Sequence, residues 1–409
     1  MAADADLRTR FAVAAGKTAT ALSRRLGRGE GTVIGGRVTL AVQPSALATA
    51  AAGRSIALVS GTNGKSTTTA LLAAATSTLQ PVTNRGGANL PGGLVAVLAA
   101  APAGRPAVLE VDEGWMQKVV DDVQPRVVVA MNLTRDQLDR VFEVRKLAAT
   151  WRRAFARVEH VVANADDPLV AWAAMGAPSP TWVAAGQPWQ ADSVGCPECE
   201  GAITYDAEGW RCTCGFARPR PDVVIDGDTI VMDDGATRVP LSLALPGRCN
   251  RANAAMVLAA ARILGVDPSV AIGAMRTVRD IDGRYAIIPI GGRRTRLLLA
   301  KNPAGWLEVL DLLDEEPRPV VVAINSRIAD GRDVSWLWDV PFERLVGRPV
   351  IASGERWRDL SVRLRYAGVE HRTAADPVDG VALLGAETVD IAANYTAFRR
   401  LRPGAEHGR

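Results

Sequence analysis

The sequence predicts an α/β protein with two domains: a larger one on a parallel sheet with helices on both faces, and a smaller C-terminal one of the same class. Three observations predict it. Short apolar runs alternate with helix-patterned stretches, once through the first half of the chain and again after residue 284. A Gly-rich loop ending in Gly-Lys-Ser-Thr follows a strand-like run and opens a helix. The 409 residues, 48% hydrophobic and 22% charged, are also too many for one ordinary core. The expected division is residues 1–283 with an insertion at 194–216, then residues 284–409.

From the N-terminus, Leu7, Phe11, Ala14, Ala15 and Leu22 are spaced for one face of a helix, followed by a Gly-rich segment and a β-like VTLAV at 38–42. With Arg8, Arg10, Arg24 and Arg25 that helix has the makings of a membrane-surface element, although such a stripe more often packs on its own domain. SIALVS (55–60), AVLEV (107–111), RVVVAMNL (126–133) and HVVANAD (160–166) then read as buried strands separated by helices, one of them beginning at Lys65. After the insertion come β-like VVIDG, TIVMDDG and TRVPLSL and a helical pair at 250–265 and 268–278. A boundary is expected at Asp282-Gly283-Arg284, where TRLLLA (295–300), PVVVAIN (319–325), RPVIAS (348–353) and ETVDIAA (387–393) begin a second alternation.

Charge and hydropathy exclude several classes. Forty-eight basic against 44 acidic residues leave a net charge of +4 without a basic block, so binding of nucleic acid by bulk charge is not expected. The N-terminus lacks the pattern of a secretory signal, and no run approaches the ~20 apolar residues needed to span a bilayer. A cytoplasmic protein is expected, at most peripheral to the inner membrane face.

Four of the five cysteines fall within nineteen positions: Cys196-Pro-Glu-Cys199, twelve residues, then Cys212-Thr-Cys214-Gly215. Two thiolate pairs on tight turns suit a tetrahedral structural zinc site, a zinc ribbon, with a disulfide arrangement as the alternative. Cys249 stands alone and reads as a small buried hydrophobe.

Gly61-Thr62-Asn63-Gly64-Lys65-Ser66-Thr67 carries the clearest chemistry. Glycines let backbone N–H groups turn inward around phosphate oxygens, and a helix N-terminus adds partial positive charge. Lys65 can reach the terminal phosphates, and a hydroxyl at Ser66 or Thr67 can hold magnesium. Val59 stands where the strict G-x-x-x-x-G-K-[ST] pattern has its first glycine.

This loop resembles the ATP loop of the Mur ligases and folylpolyglutamate synthetases. VLEVDEG (108–114) is similar to the strand ending in that family's magnesium-binding Glu, which falls on Glu110. MNLTRDQLDR (131–140) resembles N-x-T-x-D-H-x-D-R, and Asp136 and Asp139 within it read as structural acids. In LPGRCNRANAAMVLAAA (245–261) the residue matching the family's adenine contact is Asn253. DGR fits the hinge arginine at Arg284, and AKNPAG (300–305) fits A-H-N-P. Departures narrow the match: Gln137 and Lys301 replace two family histidines, Leu298 replaces an Asp, and the helix around Lys146 has no clean match to a carbamylated lysine.

The MurT branch of the family combines these departures with a cysteine insertion and with Asp330-Gly331-Arg332-Asp333-Val334-Ser335-Trp336-Leu337-Trp338-Asp339. That resemblance implies ATP and Mg2+ as cosubstrate and cofactor and Zn2+ in the insertion. It also implies amidation of the D-Glu α-carboxylate of lipid II through an acyl phosphate, with ammonia from a separate GatD-like glutaminase in a heterodimer. The chain offers no Cys–His glutaminase of its own, since Cys249 sits in PGRCNR and no histidine has a pairing motif. In the branch a C-terminal-domain Asp completes the partner's Cys–His pair. Asp330, Asp333 and Asp339 compete for that role here; Asp333 is favoured as the centre of D-G-R-D-V-S-W, just before an expected Ser335 helix cap. An ordinary Mur-type or folate-type amino-acid ligase is the alternative, and it would need the carbamylated lysine and the H-N-P histidine.

Overall fold

The structure is a computed structural model and describes residues 2–25, 32–84, 87–135, 144–279 and 285–401. Arg284, Gln137, Asp136 and Asp139 lie outside the described residues, as do the side chains of Leu7, Arg10 and Arg24.

The chain opens with α1 (Ala2–Arg25), α2 (Thr32–Val42) and α3 (Ala46–Ala51). There follow β1 (Ile56–Ser60), α4 (Lys65–Ala75), β2 (Val82–Thr83), α5 (Pro91–Ala100), β3 (Ala107–Glu110), α6 (Met116–Val123) and β4 (Val127–Ala130). Next come α7 (Val144–Phe155), β5 (His160–Asn164), α8 (Pro168–Ala174) and β6 (Ser179–Val183). A small antiparallel ribbon, β7 (Ile203–Asp206) and β8 (Gly209–Cys212), precedes β9 (Val223–Asp226), β10 (Thr229–Met232), β11 (Thr237–Pro240), α9 (Arg248–Ile263) and α10 (Pro268–Met275). These strands form one nine-stranded sheet in the order β11-β10-β9-β6-β5-β4-β1-β3-β2, the ribbon apart. It is parallel from β2 to β9, and β10 and β11 add antiparallel strands at one edge.

Strand residues alternate between two cores. Ile56, Leu58, Val128 and Ala130 pack with α3, α5, α6, α7 and α8 on one face. Ala57, Val59, Val127 and Val129 pack with α4, α9 and α10 on the other. That double burial is why the strands read as unbroken apolar runs rather than as an alternation.

A second sheet is built from β12 (Tyr285–Ile290), β13 (Arg293–Leu299), α11 (Pro303–Glu315), β14 (Val320–Ala323), β15 (Val350–Ser353), α12 (Trp357–Tyr366), β16 (His371–Thr373), α13 (Pro377–Leu384), β17 (Thr388–Ala393) and α14 (Tyr395–Leu401). Its order is β12-β13-β17-β14-β15-β16, parallel except for the β12–β13 hairpin. A buried fork ties two neighbours: Arg296 Nε and Nη2 each donate to one oxygen of Asp390 at 2.9 Å, across the β13–β17 register. β2, β6, β12 and β16 are strands that the apolar runs did not announce, because they are short, interrupted by proline or at a sheet edge.

Two N-terminal expectations need correction. VTLAV is the end of helix α2, not a strand. Its apolar run carries no period that separates strand from helix, and packing decides: a Cβ on Gly35 would lie 2.5 Å from the carbonyl oxygen of Gly16, so α1 and α2 cross backbone to backbone. Gly36 meets Gly92 of α5 in the same way. The stripe of α1 also faces away from the core: Phe11 and Leu22 are 68% and 57% exposed, whereas Ala12, Gly16 and Ser23 are the buried side. Among the described residues no helix is long and apolar enough to cross a membrane.

Gly36→Ala tests the helical layer. The new methyl would overlap the Gly92 carbonyl, so the substitution should lower the unfolding free energy by ~1–3 kcal/mol, read from the urea midpoint, despite alanine's better helix propensity.

Candidate functional site

β1 lies inside the sheet between β4 and β3, and at its end the chain turns through Gly61–Gly64 into α4. Gly64 takes a left-handed conformation (φ 82°), and a Cβ there would lie 2.7 Å from the Met131 methyl, so only glycine fits. The segment after β4 stitches the loop in place. Thr62 N donates to Asn132 O at 2.9 Å, Asn63 N donates to Asn132 Oδ1 at 2.9 Å, and Thr134 N donates to Thr62 Oγ1 at 3.0 Å. Lys65 is buried; its ammonium donates to the Gly61 and Thr62 carbonyls and to Glu113 Oε2, the last at 2.8 Å. Ser66 is half-buried and Thr67 buried. An ammonium, glycine-turned backbone and a helix N-terminus together form a cradle for nucleotide phosphates.

Two acids stand beside it. Glu110 closes β3 and is buried; Asn89 Nδ2 donates to its Oε1 at 3.0 Å, and Asn84 brackets its backbone by accepting from Glu110 N and donating to Glu110 O. Glu113 follows on a 3-10 turn and holds Lys65, and the Trp151 indole of α7 donates to the Glu113 carbonyl at 3.0 Å. Carboxylates beside a phosphate cradle are the donor set a hard divalent cation takes.

Asn253 comes from α9, on the opposite core, and its side-chain amide lies 3.4 Å from where a Gly64 Cβ would sit. It lines a narrow cavity of about 70 Å3 between the two sheets, with Asn63, Asn164, Gly186, Trp189 and Glu308 among its walls. A larger open groove of about 560 Å3 lies beside the edge strand β16 and includes none of the loop residues. The two halves meet at polar contacts: Asn302 Nδ2 donates to Asn63 Oδ1 at 3.2 Å, and Arg248 pairs with Glu308 at 2.5 Å. Burial, aided by the Glu308 charge, pushes the Cys249 thiol upward, which fits a packing residue and not a nucleophile.

At the N-cap of α8, just past β5, Asp167 is fully buried and accepts from Leu133 N, Leu169 N, Val170 N and Gln187 Nε2. Burial outweighs those bonds and pushes its carboxyl up to about 6.

The cysteines converge. All four sulfurs of Cys196, Cys199, Cys212 and Cys214 lie within 4.8 Å of one another, with Cys196–Cys214 at 3.7 Å and Cys199–Cys212 at 3.4 Å. Thiolates around tetrahedral zinc at ~2.3 Å stand about 3.8 Å apart, so the set fits a metal, and the separations are far beyond a disulfide bond. The N–H of Cys214 and then the neighbouring thiols draw Cys212 down to about 7. Despite a hydrogen bond from Gly201 N, the thiols of Cys212 and Cys214 push Cys199 up to about 12. The ribbon rests on the main domain through Trp210, which stacks at 4.7 Å on Phe216 and donates its indole N–H to Ala165 O.

In the second sheet the three competing acids separate. Asp330 is buried and saturated, accepting from Thr396 N, Thr396 Oγ1 and Arg327 N. Asp333 and Asp339 are exposed. Asp333 Oδ1 accepts from Ser335 N at 2.8 Å, so the Asp and not Ser335 supplies the capping oxygen of the 3-10 turn Ser335–Asp339. That bond holds Asp333 below the usual carboxylate range. Trp336 is core, while Trp338 is exposed and meets Tyr366 edge-on at 5.4 Å.

Comparison with known proteins agrees with this geometry. Residues 59–193 match the Mur ligase middle domain family, and residues 299–398 match the family described as MurT ligase C-terminal. The chain is 30% identical to the lipid II isoglutaminyl synthase (glutamine-hydrolyzing) subunit MurT of Staphylococcus aureus, over 77% of this chain and 78% of that one. This chain belongs to the MurT family. The MurT subunit of Streptococcus pneumoniae is 29% identical over 97% of both chains, so the likeness includes the N-terminal helices. MurF from Acinetobacter baumannii shares the fold at a TM-score of 0.65 and 16% identity, covering 88% of this chain and 78% of that one.

Glu113, Asn84, Asn89, Asn132, Asp167 and Asn302 are site residues that motif reading passed over as functional groups. Glu113 left a signal as a second acid after Glu110 in VLEVDEG, and Asn132 and Asn302 as the asparagines of N-x-T and A-K-N-P, whereas Asn84 and Asn89 act through pairings with a distant segment.

Glu113→Ala should destabilise the nucleotide-free chain by ~3 kcal/mol, because it strands a buried ammonium. Saturating ATP should shrink that deficit, since phosphate takes over Lys65; equal deficits with and without nucleotide in urea titrations would contradict the exchange. Asp167 makes a second prediction. Its folded-state value lies above the unfolded one, so its stabilising share is full below about pH 4 and is lost as pH rises towards 6. The loss is ~3 kcal/mol. Asp167→Asn should remove that slope from the pH dependence of unfolding, while lowering stability at all pH values by aiming an amide at Leu133 N–H or Gln187.

Proposed function

We propose that this chain is the synthetase subunit of a glutamine-hydrolysing lipid II isoglutaminyl synthase, acting in peptidoglycan biosynthesis with a GatD-like glutaminase. The observation that carries the reading is the end-to-end similarity to MurT subunits together with an assembled phosphate cradle.

Amidation of a carboxylate needs a leaving group better than oxide. The acceptor carboxylate oxygen attacks the γ-phosphorus of ATP, ADP departs, and the resulting acyl phosphate is attacked by ammonia, which expels phosphate and gives the amide. Gly61–Gly64 and the N–H groups opening α4 wrap the phosphates, and Lys65 neutralises charge as the γ-phosphoryl group moves. Asn253, with Asn63 and Trp189 near it, supports an adenine contact in the cavity between the sheets. Glu110, with a hydroxyl of Ser66 or Thr67, would hold Mg2+, which would supply positive charge against the phosphates. Zn2+ is the metal that best suits four thiolates at this spacing, and with no open position it is structural.

Ammonia must arrive unprotonated, which a bound glutaminase achieves. Asp333 is the acid on this chain best suited to orient a partner's imidazole: it is exposed and kept ionised by Ser335, whereas Asp330 is consumed internally.

The test is amidation of lipid II by the chain co-purified with its glutaminase, followed by mass spectrometry. Both proteins should be needed with glutamine, and this chain alone should suffice with ammonium. Asp333→Asn should cut glutamine-dependent amidation by ~10³–10⁴-fold and leave ammonium-dependent amidation intact. Equal losses with both donors would remove Asp333 from the partner's triad. For the ribbon, Cys199→Ser should lower bound zinc below one per chain by elemental analysis and lower the melting temperature, and chelation should reproduce that shift on the unmodified chain.

A further inference from the structure

The outward stripe of α1 remains unused by the site. Phe11, Ala14, Thr18 and Leu22 recur at helical spacing, all four are exposed, and the two large residues are more than half so. A stripe of this kind normally covers a core. Here the core side is given to Ala12, Gly16 and Ser23 so that α2 can approach, with Thr39 Oγ1 donating to Ala12 O. α2 exposes Ile34 and Val42 in turn. Every charged side chain described on the two helices is exposed and basic: Arg8, Lys17, Arg25 and Arg37. The only acids of α1, Asp4 and Asp6, precede the stripe.

We infer that the α1–α2 face is a docking surface for an anionic lipid bilayer. Apolar side chains too few to span can still enter the headgroup boundary, while long basic side chains lie beside them and reach lipid phosphates. Charge selects this occupant, since a face with no described acid among four bases suits a sheet of anions. Position supports it as well. α2 packs on α5 through Gly36 and Gly92, and α5 begins just after Asn89, which holds Glu110. The surface is thereby joined through α5 to the Glu110 side of the site, and under the proposed function the acceptor at that site is lipid-linked. The inference rests on the proposed function for the substrate's anchor, but not for the surface itself.

Co-sedimentation with vesicles of phosphatidylglycerol and phosphatidylcholine tests it, against phosphatidylcholine alone, using the full chain with and without its glutaminase. Both forms should sediment with the anionic vesicles and much less with the neutral ones. Lys17→Glu should reduce the partition coefficient about fivefold or more. The pair Phe11→Ser and Leu22→Ser should abolish binding while leaving the melting temperature and the amidation of a short-chain, water-soluble lipid II analogue unchanged. Three results would each overturn the inference: no sedimentation of either form, sedimentation indifferent to the serine pair, or loss of the glutaminase complex or of a self-associated form in that variant. A chain that binds vesicles but amidates nothing would sink the enzymatic reading alone. One that amidates the soluble analogue but ignores vesicles would sink the surface alone.

Discussion

A buried ammonium cannot stand without a counter-charge, and much of the molecule is arranged around the one at Lys65. The counter-charge is Glu113, helped by two carbonyls of the loop that Lys65 itself terminates. Holding Glu113 there requires α7, whose Trp151 grips its carbonyl. Holding the loop requires Asn132 and Thr134, and their segment is in turn pinned by Asp167 through Leu133 N. The phosphate cradle is thus the top of a hydrogen-bonded stack that runs from β1 through β4 to the N-terminus of α8.

The two-faced burial of the middle sheet explains how residues from opposite cores reach one point. Asn253 approaches from the α9 side, Trp151 and Glu113 from the α7 side, and the parallel strands deliver both to their C-terminal ends. The cysteine ribbon leaves between β6 and β9, which pair through a single register position, Val183 with Val223. It therefore stays a separate two-stranded unit, and β6 and β9 remain neighbours in the sheet beside it.

Much of this was legible in the residues. The parallel sheet followed from unbroken apolar runs such as Val127–Ala130, the phosphate loop from Gly64-Lys65-Ser66, and the metal site from cysteine spacing, because each is local chemistry. What the sequence hid is set by contacts between distant segments. The α2 helix depends on Gly35 meeting Gly16 of α1 and Gly36 meeting Gly92 of α5, and the outward turn of Phe11 depends on the first of those crossings. Among the acids of the D-G-R-D segment, only the fold distinguishes Asp330, spent on Thr396, from Asp333. Glu113 was hidden differently: its partner was known to be important, but pairing across 48 positions is written in no motif.

One side chain carries a further consequence. Asn302 caps α11 by accepting from Gly305 N at 2.8 Å and, with its other end, donates to Asn63 of the phosphate loop. The start of a helix in one domain and the loop that wraps phosphate in the other therefore share a single amide group. The cap of α11 and the conformation of the phosphate loop are therefore read by one side chain, so a change at either end is felt at the other.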